Sequence, residues 1–188
     1  MKPWLLNILA CPMDKHHPLD AHFFSWETST AEMEKINRES GVKNRYFAER
    51  YRHLAKQIAE GTISPASITA ITDHTEQGAA AELLKDAVRA GNRFEEIEKP
   101  DVEQLLTEFP EEIDVLYRYL NLLDVGEGLL ICSKCSRWYP IGRAVKGIPE
   151  LMPDDLRERE EELQWIKKWR EKVPEEVINE GKPFKPEG

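Results

Sequence analysis

Three cysteines, placed at the two ends of the sequence, constrain the fold of this chain more than any other feature. Cys132 and Cys135 are separated by two residues, whereas Cys11 lies more than a hundred positions earlier. An odd number of cysteines fits a disulfide framework poorly and a metal site in a reducing compartment better. If all three thiolates bind one metal ion, the ion ties the beginning of the chain to its end, and the residues between form an insertion.

The Cys132 and Cys135 pair lies at the tip of a predicted β-hairpin. Residues 129–131 are typical of a short strand and residues 138–141 of its return strand. Two thiolates on so tight a turn can point at one ion while neighbouring amides donate to the sulfurs. The pair supplies half of a tetrahedral zinc site, and Cys11 supplies a third donor.

The fourth donor has to come from the residues that follow Cys11. Asp14, His16 and His17 are the available side chains. Three thiolates and one imidazole are a normal composition for closed structural zinc, and loss of the metal is the alternative. A redox dithiol is disfavoured because such pairs usually open a helix after a strand. We therefore predict the following metal ligands: Cys11, His16, Cys132 and Cys135.

Residues 29–123 are predicted to form a helical insert. Ser29 and Glu32 have the spacing of a capping box, and Gly41 is expected to divide the helical block that they begin. Residues 72–78 are polar and predict a loop. One further helix is predicted to end at Gly61 and another to begin at Ser64. Three more are predicted over residues 79–90, 101–108 and 110–123, and Gly91 is expected to end the helix over 79–90.

The pattern as a whole predicts an α+β fold. A small antiparallel zinc-knuckle sheet is built from both chain ends, with a helical insert and a C-terminal helix. Residues 2–10 form a short helix or a buried strand, and residues 13–27 contain a further strand. The predicted domains are as follows: a zinc-knuckle domain of residues 1–28 and 124–153, a helical insert of residues 29–123, and a C-terminal extension of residues 154–188 with a helix over 154–172 and a frayed tail from 181.

Charge and motif content narrow the classes of function. The 35 acidic residues outnumber the 26 basic ones, and the net charge of -9 repels a phosphate backbone. The sequence has no glycine-rich turn followed by a helix, as a dinucleotide or S-adenosylmethionine site requires, and no G-x-S-x-G or H-E-x-x-H motif. No apolar run approaches the ~20 residues of a membrane span. We therefore expect a cytoplasmic protein without catalytic activity.

Three segments together resemble a known family. Residues 1–12 (MKPWLLNILACP), 127–141 (EGLLICSKCSRWYPI) and 147–153 (GIPELMP) are similar to the small zinc-binding activator subunit shared by several tRNA, ribosomal RNA and release-factor methyltransferases. This is the multifunctional methyltransferase subunit family. The resemblance implies a non-catalytic subunit that forms a heterodimer with an S-adenosylmethionine-dependent methyltransferase. It also implies structural zinc, and contact with RNA only through the enzyme.

The resemblance also implies roles for individual residues. Family members that keep the insert usually carry a second cysteine five positions after the first, and His16 stands at that position here. The activator of this family lends a sheet edge and an apolar patch to its enzyme. The positions that match the patch are Ile148, Pro149, Leu151 and Met152. Independently, apolar residues in a proline-broken stretch beside a small hairpin have little core to bury them, although packing onto the insert is the alternative.

A nucleic-acid-binding zinc ribbon of transcription or translation is the alternative function. The basic side chains it would use near the hairpin are Lys134, Arg137, Arg143 and Lys146. A thiol oxidoreductase is a third class. Trp165 and Trp169, four residues apart on the charged C-terminal helix, are predicted to pack on the body of the protein.

Overall fold

The computed structural model of the chain describes residues 1–39 and 47–186. A four-stranded sheet with the strand order β2-β1-β3-β4 forms the centre of the fold. The strands are β1 (Asp20–Trp26), β2 (Ile71–Asp73), β3 (Val125–Ile131) and β4 (Trp138–Ile141). β1 pairs antiparallel with β3, and β3 pairs antiparallel with β4. The predicted α+β class and the predicted cysteine hairpin are therefore confirmed.

β2 differs from the loop predicted over residues 72–78. It runs parallel to β1, with Ile71 opposite Ala21, and the amide of His74 donates to the carbonyl of Phe23 at 2.9 Å. Three residues are too few to show strand periodicity, and β2 exists because β1 pairs with it. The insert therefore contributes an edge strand to the sheet, while the division of the chain into domains stays a prediction.

Six α-helices make up the rest of the insert within the described residues. They are α1 (Thr30–Arg38), α2 (Ala48–Ala59), α3 (Pro65–Thr69), α4 (Gly78–Glu95), α5 (Val102–Glu108) and α6 (Pro110–Tyr117). The capping box at Ser29 is confirmed, since its hydroxyl accepts from the amide of Glu32 and its own amide donates to the Glu32 carboxylate. Gly41, the predicted break after the first helix, lies outside the described residues.

The predicted end of α4 at Gly91 is wrong, because the helix continues to Glu95. Gly91 is buried where α4 crosses α3, and a Cβ added there would lie 3.4 Å from Cβ of Pro65. Gly91 thus lies in an ordinary helix contact and does not end the helix. α6 ends earlier than predicted, at Tyr117, and a π-helical turn over Arg118–Leu122 leads into β3.

The N-terminal segment is helical, which decides between the two predicted alternatives. A 3₁₀ helix spans Pro3–Asn7, and the side-chain oxygen of Asn7 accepts from the amide of Ser64 and the hydroxyl of Ser67. These two bonds join the start of the chain to the beginning of α3. Among the described helices, none combines the length and apolar character needed to cross a membrane.

The C-terminal extension contains two short α-helices, α7 (Arg159–Lys168) and α8 (Glu175–Glu180), rather than one long helix. Trp165 is buried and Trp169 is half-buried, with ring centroids 6.2 and 5.3 Å from that of Phe24. The predicted packing of both tryptophans on the body of the protein is confirmed.

The predicted fraying of the tail is wrong for residues 181–186. The amide of Lys182 donates to the carbonyl of Ser136 at 2.9 Å, and the amide of Trp138 donates to the carbonyl of Lys182 at 3.2 Å. The indole of Trp138 donates to the carbonyl of Phe184 at 3.0 Å. The polar composition that predicted a frayed tail says nothing about these backbone bonds.

Candidate metal centre and partner surface

The two ends of the chain meet at a cluster of three thiols and one carboxyl group. The potential ligand atoms of Cys11, Asp14, Cys132 and Cys135 all lie within 4.8 Å of one another. The sulfur of Cys11 is 3.7 Å from that of Cys135, and the sulfur of Cys132 is 3.6 Å from both carboxyl oxygens of Asp14. The structure thus brings the three distant cysteines together, as the sequence predicts.

The turn that carries Cys11 places Asp14 by its backbone hydrogen bonds. The amide of Lys15 donates to the carbonyl of Cys11 at 2.9 Å, and the amide of Cys11 donates to the carbonyl of His16 at 2.9 Å. Lys15 has a positive φ of 61°. This left-handed residue closes the turn, so that the side chains of Cys11 and Asp14, the first and fourth residues of the turn, point to the same side.

The hairpin tip repeats the same turn. The amide of Ser136 donates to the carbonyl of Cys132, and the amide of Cys132 donates to the carbonyl of Arg137, both at 2.8 Å. Ser136 has a φ of 59°, matching the left-handed residue of the first turn. Asp14 therefore occupies, in the turn after Cys11, the position that Cys135 occupies in the second turn.

His16, the predicted fourth ligand, lies outside this cluster. Its Nε2 atom is 3.1 Å from the hydroxyl of Ser133, and its backbone closes the first turn. His17 also points elsewhere, with Nδ1 2.9 Å from the carbonyl of Leu9. The signal that identifies Asp14 is spacing: Cys-x-x-Asp repeats the separation of Cys-x-x-Cys, although carboxylate is a less frequent zinc donor than imidazole.

The donor set fits one tetrahedral metal ion. Two thiolates bound at about 2.3 Å to the same zinc ion lie about 3.8 Å apart, close to the 3.7 Å between Cys11 and Cys135. A disulfide would bring the sulfurs to about 2 Å, and all three cysteines are free. Three thiolates and a carboxylate are consistent with zinc.

The cluster needs a positive charge before its thiols can ionise. Burial raises the pKa of the Cys132 thiol to about 12, so its thiolate forms at neutral pH only where a cation stabilises it. The amide of His16 donates to the Asp14 carboxylate at 3.0 Å and, with weaker contributions from the thiols, lowers the pKa of Asp14 to about 2. A bound divalent ion would supply the positive charge that buried thiolates require.

Residues 147–153, which we name the ledge, follow β4 and pair with its end. Gly147 starts the ledge with a positive φ of 69°, and a Cβ there would lie 2.4 Å from the Met1 nitrogen. The amide of Gly142 donates to the carbonyl of Ile148 at 2.9 Å, and the amide of Glu150 donates to the carbonyl of Pro140 at 2.8 Å. The backbone of the ledge is therefore held against the sheet.

The side chains of the ledge point in two directions. Leu151 is half-buried and packs against the core between sheet and insert, and Pro149 is also half-buried. Ile148 and Met152 are 53% and 42% exposed. Leu151 thus packs on the core of the protein, whereas Ile148 and Met152 lie at the surface.

The family of the chain follows from its sequence match. A sequence model of the family described as Trm112p-like protein matches residues 2–143. The chain belongs to the Trm112p-like family. The match includes both cysteine turns, all four strands and the insert, whereas the ledge and the C-terminal extension of this Trm112p-like chain lie beyond it. No curated relative matches the chain.

Membership in the Trm112p-like family indicates the general role of the chain. It points to a regulatory subunit that partners methyltransferases rather than to a catalytic enzyme. The thiols of Cys11 and Cys132 are buried and that of Cys135 is half-buried. Exposed apolar side chains lie both beside Cys11, at Ile8 and Met13, and on the ledge, at Ile148 and Met152.

Proposed function

We propose that this chain is a non-catalytic activator of S-adenosylmethionine-dependent methyltransferases that modify tRNA, ribosomal RNA or a release factor. Family membership supports a methyltransferase as the partner. The observation that carries the proposal is the ledge, where Ile148 and Met152 stand exposed on a backbone that β4 holds in place. A fixed apolar surface binds a partner without first having to be ordered.

The metal centre, in this proposal, holds the two chain ends together. Cys11, Asp14, Cys132 and Cys135 hold one structural zinc ion, and His16 would have to leave Ser133 to replace Asp14. Structural zinc contributes roughly 10–16 kcal/mol in small peptides, comparable to the stability of a whole domain. The ion thus fixes the hairpin from which the ledge continues.

The partner surface, in this proposal, consists of Ile148, Pro149, Leu151 and Met152. Leu151 anchors the ledge from the inside, while Ile148 and Met152 enter an apolar depression of the enzyme. The two proteins form a heterodimer. Binding stabilises the cofactor-competent enzyme by mass action, because only its folded form offers the complementary surface.

Substituting one exposed ledge residue tests this proposal. Ile148→Asp places a charge in the interface, so we expect it to abolish recovery of the methyltransferase when the tagged chain is purified from its source cells. Ile8→Asp is the matched control, because Ile8 is 57% exposed but lies outside the ledge. Circular dichroism should show the same fold for both variants. Undiminished recovery of the enzyme with Ile148→Asp would refute the ledge as the interface.

The surface charge disfavours direct recognition of RNA, the alternative function. Arg137 forms a bidentate pair with Asp154, and Arg143 pairs with Glu150. Two of the four basic residues near the hairpin are therefore neutralised. We propose that the chain contacts RNA only through its enzyme, and that it works in the cytoplasm, where its thiols stay reduced. Tight, salt-sensitive RNA binding by the isolated chain would favour the alternative.

A further inference from the structure

The C-terminal extension covers the apolar side chains that β1, β3 and β4 present on one face of the sheet. Adjacent residues of a strand point to opposite faces, and one face of this sheet packs on the insert. We name the opposite face the outer face; it consists of Phe24, Leu129, Ile131 and Trp138, all at most 3% exposed. The extension contributes the following buried side chains to this second core: Trp165, Ile166, Val173 and Val177.

The extension also pairs with the edge of β4. Lys182 donates to Ser136 and accepts from Trp138, so it continues the ladder on the first half of the strand. The ledge occupies the second half, where Pro149 lies opposite Ile141. Along its outer edge, β4 is therefore paired within the chain at both ends.

A buried ion pair within the extension holds the Arg157 guanidinium against the sheet. Arg157 and Glu162 form a buried pair, and the guanidinium of Arg157 donates to the carbonyl of Trp138 at 2.7 Å. The same guanidinium lies 4.6 Å from the centroid of the Trp138 ring. Separating Arg157 from Glu162 would leave each charge buried without its partner, which is costly. The pair therefore favours release of this part of the extension as a unit, if it is released at all.

A second group of ion pairs links the extension to the turn before the ledge and to β3. Arg143 pairs with Glu158 and Glu161 at 2.7 Å, and Lys168 pairs with Glu127 at 2.8 Å. The acidic side chains of these contacts come from both the sheet and the extension. The two parts therefore associate through complementary charge as well as through apolar packing.

We infer that residues 154–186 act as an intramolecular partner for the sheet, covering its outer face and the β4 edge in cis and leaving the ledge to the enzyme. The resemblance implies a subunit that lends a sheet edge to its partner, and of the two edges of this sheet the one at β4 is already paired within the chain. An enzyme that added a strand to β4 would have to displace Lys182 or the ledge. The extension lies outside the residues that match the family model.

The inference deepens the proposed function, on which it rests only for the identity of the partner. The cover itself is a property of the free chain and is tested there by amide hydrogen exchange. In the full-length chain we expect the amides of Lys182 and Trp138 to exchange at least about a hundred-fold more slowly than in an unstructured peptide. Exchange of the Lys182 amide at the unstructured rate would overturn the inference.

A truncation after Gly181 provides the matched control. It removes the tail that pairs with β4 and keeps α7 and α8, so protection is lost at Trp138 and retained in β1 and β3. A free edge is also a template for pairing with another chain, and we expect the truncated form to self-associate in sedimentation experiments. If Trp138 stays protected without the tail, the tail does not cover the edge.

The same measurement on the complex separates this inference from the proposed function. With the co-purified methyltransferase bound, Lys182 and Trp138 remain protected while ledge amides become slower to exchange. Loss of protection at Lys182 on binding would overturn the inference, because it would mean that the enzyme displaces the tail. If no methyltransferase is recovered, the proposed function fails, and the free chain still decides whether the cover exists.

Discussion

Asp14 illustrates how a backbone turn, rather than donor strength, selects a residue for the cluster. It stands three positions after Cys11, as Cys135 stands three positions after Cys132. Both turns close on a left-handed residue with the same pair of backbone hydrogen bonds. With a divalent ion, three thiolates and a carboxylate would leave a net charge of about -2 at the site, so the centre has no attraction for phosphate.

The fourth ligand can be assigned by a pair of substitutions. Asp14→Asn keeps the acceptor for the amide of His16 but removes the charged donor, so we expect zinc affinity to fall at least about ten-fold. His16→Asn is the control and should change the affinity by less than about two-fold. Competition with a chromophoric chelator measures both. A larger loss with His16→Asn than with Asp14→Asn would assign the ligand to His16 instead.

A pair of histidines gives the chain a pH-dependent stability. Nδ1 of His22 lies 2.8 Å from Nε2 of His74, with the two rings stacked. Burial, aided by the charge of His74, lowers the pKa of His22 from 6.5 to about 4. Because the folded pKa lies below the unfolded one, the unfolded chain binds more protons between these values. The stabilisation is therefore present above pH 6.5 and is lost as the pH falls towards 4.

Replacing His22 by glutamine should reduce this pH dependence. His22→Gln keeps a hydrogen-bonding group for His74 but does not titrate, so the free energy of unfolding should fall by about 2 kcal/mol less between pH 7 and pH 5 than in the unsubstituted chain. Urea denaturation at the two pH values measures the difference. The charged groups that face His74, Asp73 and Lys172, are the same in both proteins. Equal losses in the two proteins would contradict the assignment to His22.

At the level of elements, structure that depends on residues close in sequence is predicted better than structure that depends on contacts between distant residues. The capping box at Ser29 and the hairpin around Cys132 depend on residues close in sequence, and both are confirmed. β2 depends on its pairing with β1, which lies far away in the chain. At the candidate metal site, the spacing Cys-x-x-Asp marks Asp14 in the sequence as well, but imidazole is the more frequent zinc donor and favours His16.

The second core makes the extension a structural element rather than a tail. Trp165 is 9% exposed, packs near Phe24, and its indole donates to Glu127 at 3.2 Å. We expect Trp165→Ala to lower the free energy of unfolding by about 3–5 kcal/mol, because it removes a large buried side chain and leaves a cavity. Chemical denaturation measures this change.

The control for this substitution is Leu156→Ala, in the same extension. Leu156 is 59% exposed, and its truncation should change the free energy of unfolding by less than about 0.5 kcal/mol. A loss of under about 1 kcal/mol for Trp165→Ala would show that the extension adds little to the stability of the sheet.

At the scale of the whole molecule, the chain has two apolar cores, one on each face of the sheet, and a metal cluster that joins its ends. The sequence predicts this closure because Cys11 is the only thiol available to complete the hairpin pair. It does not predict the outer core, since Trp165 and Trp169 alone do not reveal which surface they cover. The consequence for function is that the extension covers the outer core and leaves Ile148 and Met152 of the ledge exposed.

Activation of a methyltransferase by the added chain tests the central claim most directly. The enzyme recovered with the chain is expressed alone, and its rate of methyl transfer from S-adenosylmethionine is measured with and without the purified subunit. We predict that the full-length chain raises the rate at least about ten-fold and that Ile148→Asp raises it less than about two-fold. An enzyme that is equally active alone, or equally stimulated by Ile148→Asp, would contradict the role of the chain as an activator acting through the ledge.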